Sequence, residues 1–346
     1  MANLEEDIEL QDSEAEMFEH FRFEVDQGQS ALRIDKYLMH RIENATRNKI
    51  QQAAKAENIL VNNAPVKSNY KVKPRDIISL VFSEPPRDTK IFAEEIPIKI
   101  LYEDDDLLVI DKQAGLVVHP GHGNYTGTLL HGLKYHFQQS GSGDIEPLLA
   151  HRIDKDTSGV LVIAKDETIL ARLAKQFFDH SIERKYHALV WGNFDEENGT
   201  VTGHLARNPK NRLQMSVFPD GELGKHAVTH YRLLERFGYV SLIECQLETG
   251  RTHQIRAHMK HIGHPVFNDA RYGGDGILKG TTFTKYKQFV KNCFEIIPRQ
   301  ALHARSLQFV HPRSGETLYF ESALPSDLAA VLEKWRNYSI HQQLDG

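Results

Sequence analysis

Between residues 98 and 326 the chain keeps returning to short aliphatic and β-branched runs: Leu107-Leu108-Val109-Ile110, Val160 to Ile163, His187 to Val190, Val228 to Leu234 and Val240 to Leu247. Runs of this length, broken by Gly, Pro, Asn and Asp, have the span of strands and are too short for buried helices. Against them stand few helical periods, the clearest at Thr168 to Phe177 and a last one at Leu328 to Tyr338. Many strands with few helices predict a sheet-dominated α+β domain. With 346 residues the chain is too long for one average domain. A catalytic-sized domain over 98–326 therefore leaves room for a second, smaller one before it.

One turn inside the sheet-forming region presents a carboxylate. The run Pro147-Leu148-Leu149-Ala150 enters His151-Arg152-Ile153-Asp154-Lys155-Asp156-Thr157-Ser158-Gly159, and Val160 to Ile163 leaves it. Arg152 and Lys155 flank Asp154, and nearby cations favour the charged carboxylate, which suits a nucleophile or base better than an acid. The same residues also describe an ordinary polar turn in which Asp caps Thr-Ser-Gly.

Charge is distributed unevenly. The net charge is −5, but residues 1–20 hold eight acidic residues and no Lys or Arg, and without those eight negative charges the remainder carries +3. Residues 1–21 are expected to be a disordered acidic tail. Between Ala31 and Phe82, ten Lys/Arg face four Asp/Glu, a balance suited to a polyanion. The pattern there reads as helix (Leu32 to Leu38), helix (Thr46 to Ala54, with Thr46 as its cap), strand (Ile59 to Val61), tight turn at Asn62-Asn63, and strand (Ile77 to Val81). Arg33, Asp35, Lys36, Leu38, Thr46, Arg47, Val61, Asn62, Asp76 and Ile77 match the order of an S4 RNA-binding domain, which residues 22–83 thus resemble. Asn58, Asn63 and Arg75 stand where that pattern has glycine. The resemblance implies RNA contact through residues such as Arg33, Lys36, Arg47 and Lys49. Residues 84–97, rich in proline, read as a linker, and 327–346 as a terminal helix and tail.

Further segments bear on Asp154. Tyr186 follows Arg184 and Lys185 at the start of a strand; its ring could be core or could stack on a base. In Gly250-Arg251-Thr252-His253-Gln254-Ile255-Arg256-Ala257-His258, glycine ends a strand and a helix opens. That places Arg256 where it could clamp the Asp154 carboxylate at two points. His253, His258, His261 and His264 crowd together, but no two stand four apart around a glutamate as in H-E-x-x-H, so no metal is expected. Gly121-His122-Gly123-Asn124-Tyr125-Thr126-Gly127 has the wrong glycine spacing for a dinucleotide loop and reads as a turn or a substrate-facing loop. Glu103-Asp104-Asp105-Asp106 reads as a solvated acidic turn. No apolar run reaches the roughly 20 residues of a membrane span. The acidic start lacks the basic region of a signal peptide. Cys245 and Cys293 lack CxxC spacing, so a reducing, cytoplasmic setting is expected.

Taken in order, His151-Arg152-Ile153-Asp154, Thr157-Ser158-Gly159, Arg184-Lys185-Tyr186, Gly250 to His258, His261-Ile262-Gly263-His264-Pro265, Gln300 to Ala304 and Phe309 to Glu316 resemble the RluA/RluD family of RNA pseudouridine synthases. The resemblance implies a catalytic domain on a mixed, largely antiparallel sheet preceded by the S4-like (αL) domain. It also implies isomerisation of uridine in RNA with no cofactor. Members with an S4 domain mostly act on large-subunit (23S) ribosomal RNA, the substrate expected here. Asp154, Tyr186 and Arg256 become the expected catalytic set, and Arg152, His151, Arg251, His253 and Gln254 the expected substrate contacts. Transfer RNA as substrate, a non-catalytic ribosome-assembly factor, and a hydrolase acting at C1′ are the competing readings; a monomer without membrane contact is expected. The stretch Ile277 to Pro298 is longer than in many members.

Overall fold

A computed structural model describes residues 18–42, 45–82, 91–121, 123–141, 145–221 and 223–344. The chain divides into two compact units, 1–90 and 91–346. Most of the expected tail, 1–17, and the linker's first part, up to residue 90, lie outside the described residues.

In the first unit β1 (Phe18–Glu24) is followed by α1 (Ile34–Met39), α2 (Arg47–Lys55), β2 (Ile59–Val61), β3 (Ala64–Pro65) and β4 (Ile77–Phe82). The strands form an antiparallel sheet in the order β1-β4-β2-β3. Ile34, Tyr37 and Leu38 of α1 and Ile50 and Ala54 of α2 close its core over Ile59, Val61, Ile78 and Leu80. Thr46 caps α2 by accepting from the Lys49 amide at 3.3 Å. Asn63 and Arg75 adopt left-handed backbone (φ 66° and 67°), where glycine would be unstrained. Asn62 (φ 48°) and Glu57 (φ 60°) are left-handed as well, and after α2 it is Glu57 rather than Asn58 that takes this conformation. Because β1 starts at Phe18 and pairs with Phe82, residues 18–21 are strand rather than tail.

The second unit runs β5 (Lys99–Glu103), β6 (Leu107–Lys112), α3 (Leu129–Gln139), β7 (Leu148–Leu149), β8 (Ser158–Ala164), α4 (Glu167–Phe178), β9 (Glu183–Trp191), β10 (Asn198–Arg207), β11 (Met215–Phe218), β12 (Lys225–Arg236), β13 (Val240–Leu247), α5 (Gln254–His261), α6 (Thr284–Ile296), β14 (Leu302–Val310), β15 (Thr317–Glu321) and α7 (Ser326–Leu344). Its sheet has the order β11-β10-β12-β13-β9-β14-β8-β6-β5, with β15 beside β14 and β7 beside β8. Among the described strands one pair is parallel, β14 with β8, and it is only two residues long: His303 faces Ser158 and Ala304 faces Gly159. The fold is α+β, as expected.

Both faces of the sheet are covered. Alternate residues of β6 and β8 enter opposite cores, as a period of two demands. Leu108, Ile110, Leu161 and Ile163 join one core, and Leu107, Val109, Val160 and Val162 the other. Helix α4 closes the second through Ile169 and Leu173. Helices α3, α6 and α7 close the first, where Leu328, Val331, Leu332 and Trp335 of α7 are fully buried among Trp191 and Phe267. The terminal helix, expected outside the catalytic domain, is thus part of its core. So is the end of the expected linker, through Ile91 and Ile96.

Candidate active site

The Asp154 turn lies between β7 and β8 and is held from several sides. Buried Lys112, at the end of β6, donates to the carbonyls of Gln113 (2.8 Å), Leu116 (2.9 Å) and Lys155 (2.9 Å). Burial pulls its pKa down to about 7, while three carbonyl acceptors suit the three-donor ammonium form. Arg299 donates to the Asp156 carbonyl at 3.0 Å and forks onto Asp327, in the first turn of α7, at 2.7 and 2.9 Å. The Thr157 amide closes the turn onto the Asp154 carbonyl at 3.1 Å. Behind it Gly159 sits at φ 116°, where a Cβ would stand 2.1 Å from the Ala304 carbonyl oxygen. Only glycine lets β8 and β14 meet there.

Helix α5 brings Arg256 to this turn. Its Nη1 donates to Asp154 Oδ2 at 2.7 Å. The two-point clamp expected on Asp154 is instead made to Asp269: Nε donates to Oδ2 at 2.6 Å and Nη2 to Oδ1 at 2.8 Å. The Nε/Nη2 edge of the guanidinium goes to the buried Asp269 carboxylate, and Asp154, whose side chain is 25% exposed, is met by Nη1 alone. Burial works against the Arg256 charge, but Asp269 and Asp154 together raise its pKa above the ordinary arginine value. The Arg256 guanidinium also lies 5.0 Å over the Tyr272 ring. The Tyr272 hydroxyl accepts from the Met215 amide at 2.8 Å and meets His253 Nδ1 at 3.0 Å. His253 Nε2 stands 3.9 Å from Asp154 Oδ2; burial pushes the pKa of this histidine down to about 4, so it is neutral near pH 7.

Two hollows, of about 460 and about 690 Å³, share the Asp154–Arg256 pair as lining, together with Arg152, Ile153 and His253. Such volumes suit small-molecule sites. Tyr186, on β9, lines the smaller one; its hydroxyl has no hydrogen-bond partner among the described residues, and burial raises its pKa, keeping it a phenol. Among the described residues Asp154 is the one carboxylate lining that hollow. An anion, a flat ring and a cation therefore meet in one recess.

The expected substrate contacts divide. Arg152 is exposed, without an ion pair among the described residues, and Arg251 lines the smaller hollow while donating from Nε to the His226 carbonyl at 3.1 Å. Gln254 is different. Its Oε1 accepts from Thr249 Oγ1 (2.7 Å) and the Arg251 amide (3.0 Å), and its Nε2 donates to the Val228 carbonyl (2.9 Å) and Thr229 Oγ1 (3.0 Å). With every amide position used, Gln254 fixes the β13–α5 corner while it borders the smaller hollow. His151 also serves the scaffold: its Nε2 accepts from the Val162 amide at 3.1 Å, and burial lowers its pKa to about 3. The neighbouring histidines are occupied too, His258 Nδ1 by Thr229 Oγ1 (3.0 Å) and His264 Nδ1 by the Trp191 carbonyl (2.8 Å).

Comparison with known proteins decides the family. A model described as RNA pseudouridylate synthase matches residues 106–261, and an S4 domain model matches 32–78. An RNA pseudouridine synthase of Chlorobaculum parvum is 47% identical over 318 residues, covering 90% of this chain and 97% of that one. The chain belongs to the RNA pseudouridine synthase family. The ribosomal large subunit pseudouridine synthase D of Nitrosomonas europaea is 41% identical over 308 residues, covering 89% and 86% of the two chains. Human RNA pseudouridylate synthase domain containing 4 matches in structure with a TM-score of 0.54 at 25% identity, over 69% of this chain and 93% of that one. The protein is thus an RNA pseudouridine synthase with an S4 RNA-binding domain.

Within the S4 domain, Arg33 and Arg47 converge on Asp35, which is fully buried. Arg33 forks onto it at 3.1 and 2.8 Å and Arg47 Nε reaches it at 3.3 Å. The Arg33 contact, with help from Gln51 and Arg47, holds the Asp35 pKa down at about 2. Two cations against one buried carboxylate leave the cluster positive, with the outer faces of both guanidinium groups in solvent. Lys36 and Lys49 are exposed and without ion pairs among the described residues. The acidic turn at 103–106 is not solvated as expected: Asp106 is buried and gripped by Arg313, and Asp104 accepts from the Asp106 and Leu107 amides and pairs with His311. It anchors the β14–β15 hairpin.

Proposed function

We propose that this synthase converts uridines of large-subunit ribosomal RNA to pseudouridine, with Asp154 as its single catalytic carboxylate. The substrate reading rests on relatives named ribosomal large subunit pseudouridine synthase D from Nitrosomonas europaea, Zymomonas mobilis and Pasteurella multocida, 41%, 43% and 36% identical. The observation that carries the catalytic reading is the 2.7 Å Arg256–Asp154 pair beside the Tyr186 ring in a recess with no other carboxylate among the described residues. A hydrolase acting at C1′ would want a second carboxylate across the site.

In this reading the target uridine leaves its stack and enters the recess, since no side chain reaches C1′ within a helix. Tyr186 supports the base, and Arg152, exposed at the rim, holds the extruded nucleotide's backbone. Arg256 keeps Asp154 ionised and aimed at the ribose, whether the carboxylate attacks C1′ or removes a sugar proton. The S4 domain adds affinity through the positive face around Arg33, Lys36, Arg47 and Lys49. The enzyme acts as a monomer in the cytoplasm, where its free, buried Cys245 and Cys293 stay reduced. Mapping pseudouridines in RNA from cells with and without this gene tests the substrate. Missing sites in large-subunit ribosomal RNA support the reading, and missing sites confined to transfer RNA replace it.

A further inference from the structure

Arg184 is a buried cation that none of the described residues neutralises. It is 6% exposed and has no carboxylate partner among the described residues. Among the described residues its Nη2 reaches only the carbonyls of Glu248 (3.2 Å) and Leu247 (3.5 Å), and its buried Nε has no partner. The nearby Glu248 carboxylate is turned to His230, at 2.6 Å. Nη1 has no partner among the described residues and points toward Gly250, where an added Cβ would stand 2.7 Å from it. The Phe177 ring lies 5.2 Å from the guanidinium carbon. A buried arginine is normally paired; one left unpaired on the wall of a cavity is poised for an anion that arrives there. Arg184 lines the Tyr186 recess, and standing two residues before Tyr186 on β9 it shares that side chain's face.

We infer that Arg184 binds a carbonyl oxygen of the target uracil and carries the negative charge that the base acquires when it leaves the ribose. This rests on the reading of the Tyr186 recess given above. When C1′–N1 breaks, the bonding pair stays on the base and spreads over O2 and O4. After the base turns, C5 returns a pair to C1′, the C5 proton is lost and N1 gains one, so the sum is an isomerisation. A buried guanidinium fixed beside O2 or O4 is strongest toward the anion, between these two steps. A phosphate of the RNA backbone is a poorer fit, because it would lie at the rim, where Arg152 is exposed. The carbonyl of a neutral uracil is bound more weakly than the anion, so the residue acts on rate more than on affinity.

The test measures single-turnover pseudouridine formation and RNA affinity with the full-length enzyme and a large-subunit ribosomal RNA transcript. Arg184→Met is expected to slow the reaction by about 10²-fold, the cost of losing one preorganised donor, with RNA affinity unchanged within a few-fold. Arg184→Lys is expected to recover about tenfold, because charge does the work and only the fork is lost. Gly250→Ala, which pushes the guanidinium aside, is expected to slow the reaction too; if Arg184→Met fails to fold, this variant decides alone. A wild-type rate in folded Arg184→Met or Gly250→Ala overturns the inference, and so does an Arg184→Lys variant no faster than Arg184→Met. An Asp154→Asn variant that stays active would instead overturn the reading of the recess, whatever Arg184 does.

Discussion

Replacing Asp269 with asparagine tests whether the catalytic carboxylate is aimed from a distance. Asp269 does not reach the smaller hollow; it takes the Arg256 fork at 2.6 and 2.8 Å and a further N–H from Tyr272 at 3.2 Å, with its side chain 1% exposed. Asparagine keeps the shape but presents one acceptor to two guanidinium N–H groups and removes the charge. Breaking a buried ion pair from one side costs about 3–5 kcal/mol. In a unit of this size that lowers the melting temperature by roughly 10 °C. The rate should suffer as well: an arginine free to turn no longer fixes Asp154, and a displacement of about 1 Å at a reacting group costs on the order of 10²-fold. Thermal unfolding and single-turnover pseudouridine formation below the transition read the two effects separately, and RNA affinity should stay within about a few-fold. A variant with both the wild-type melting temperature and the wild-type rate would show that Asp269 does not hold Arg256 for the reaction.

Three other outcomes are expected. Gly159→Ala, with its Cβ 2.1 Å from the Ala304 carbonyl and φ at 116°, should part β8 from β14 and lower stability by about 3 kcal/mol or more; a melting temperature equal to wild type would contradict this. His151 (pKa about 3), His187, His253 and His258 (each about 4) all sit below the ordinary imidazole value, chiefly through burial. Each unfolded imidazole binds a proton below about pH 6.5 that the folded one refuses, so stability is full above that pH and falls as pH drops toward 4. A flat melting temperature from pH 7 to pH 4.5 would refute it, taking about 6.5 as the free imidazole value. Replacing Lys36 and Lys49 with alanine should weaken RNA binding and reduce the slope of log affinity against log salt by about 1–2, while an unchanged slope would remove both from the RNA face.

The chain's strand-length runs and its Asp154 turn were readable because they are local. A period of two and a flanked carboxylate need only a few neighbouring residues to recognise. Asp154, Tyr186 and Arg256, far apart in sequence, converge as their motifs imply. What stayed hidden depends on which partner wins a side chain in three dimensions. Nothing in Gly250 to His258 says that Arg256 gives its two-point grip to Asp269 and a single contact to Asp154; the signal available was an aspartate a few residues after the His264-Pro265 turn. Gln254 and His151 looked like substrate contacts because polar residues beside a catalytic motif usually face the site, yet their hydrogen bonds are used by Thr249, Val228 and Val162. Lys112 and Arg299 hold the Asp154 turn through backbone carbonyls, which leave no trace in a residue pattern. Helix α7 looked like an appendage, although four fully buried residues place it in the core.

The most direct test of Asp154 as the single catalytic carboxylate is pseudouridine formation by the Asp154→Asn enzyme on large-subunit ribosomal RNA, measured beside its RNA affinity. Asparagine is nearly the same size and can still accept from Arg256 Nη1, so folding and binding should change little, while the anion is gone. The expected result is no detectable pseudouridine after many wild-type half-times, with RNA affinity within about a few-fold of wild type. Pseudouridine formed at the wild-type rate by the folded variant would contradict it.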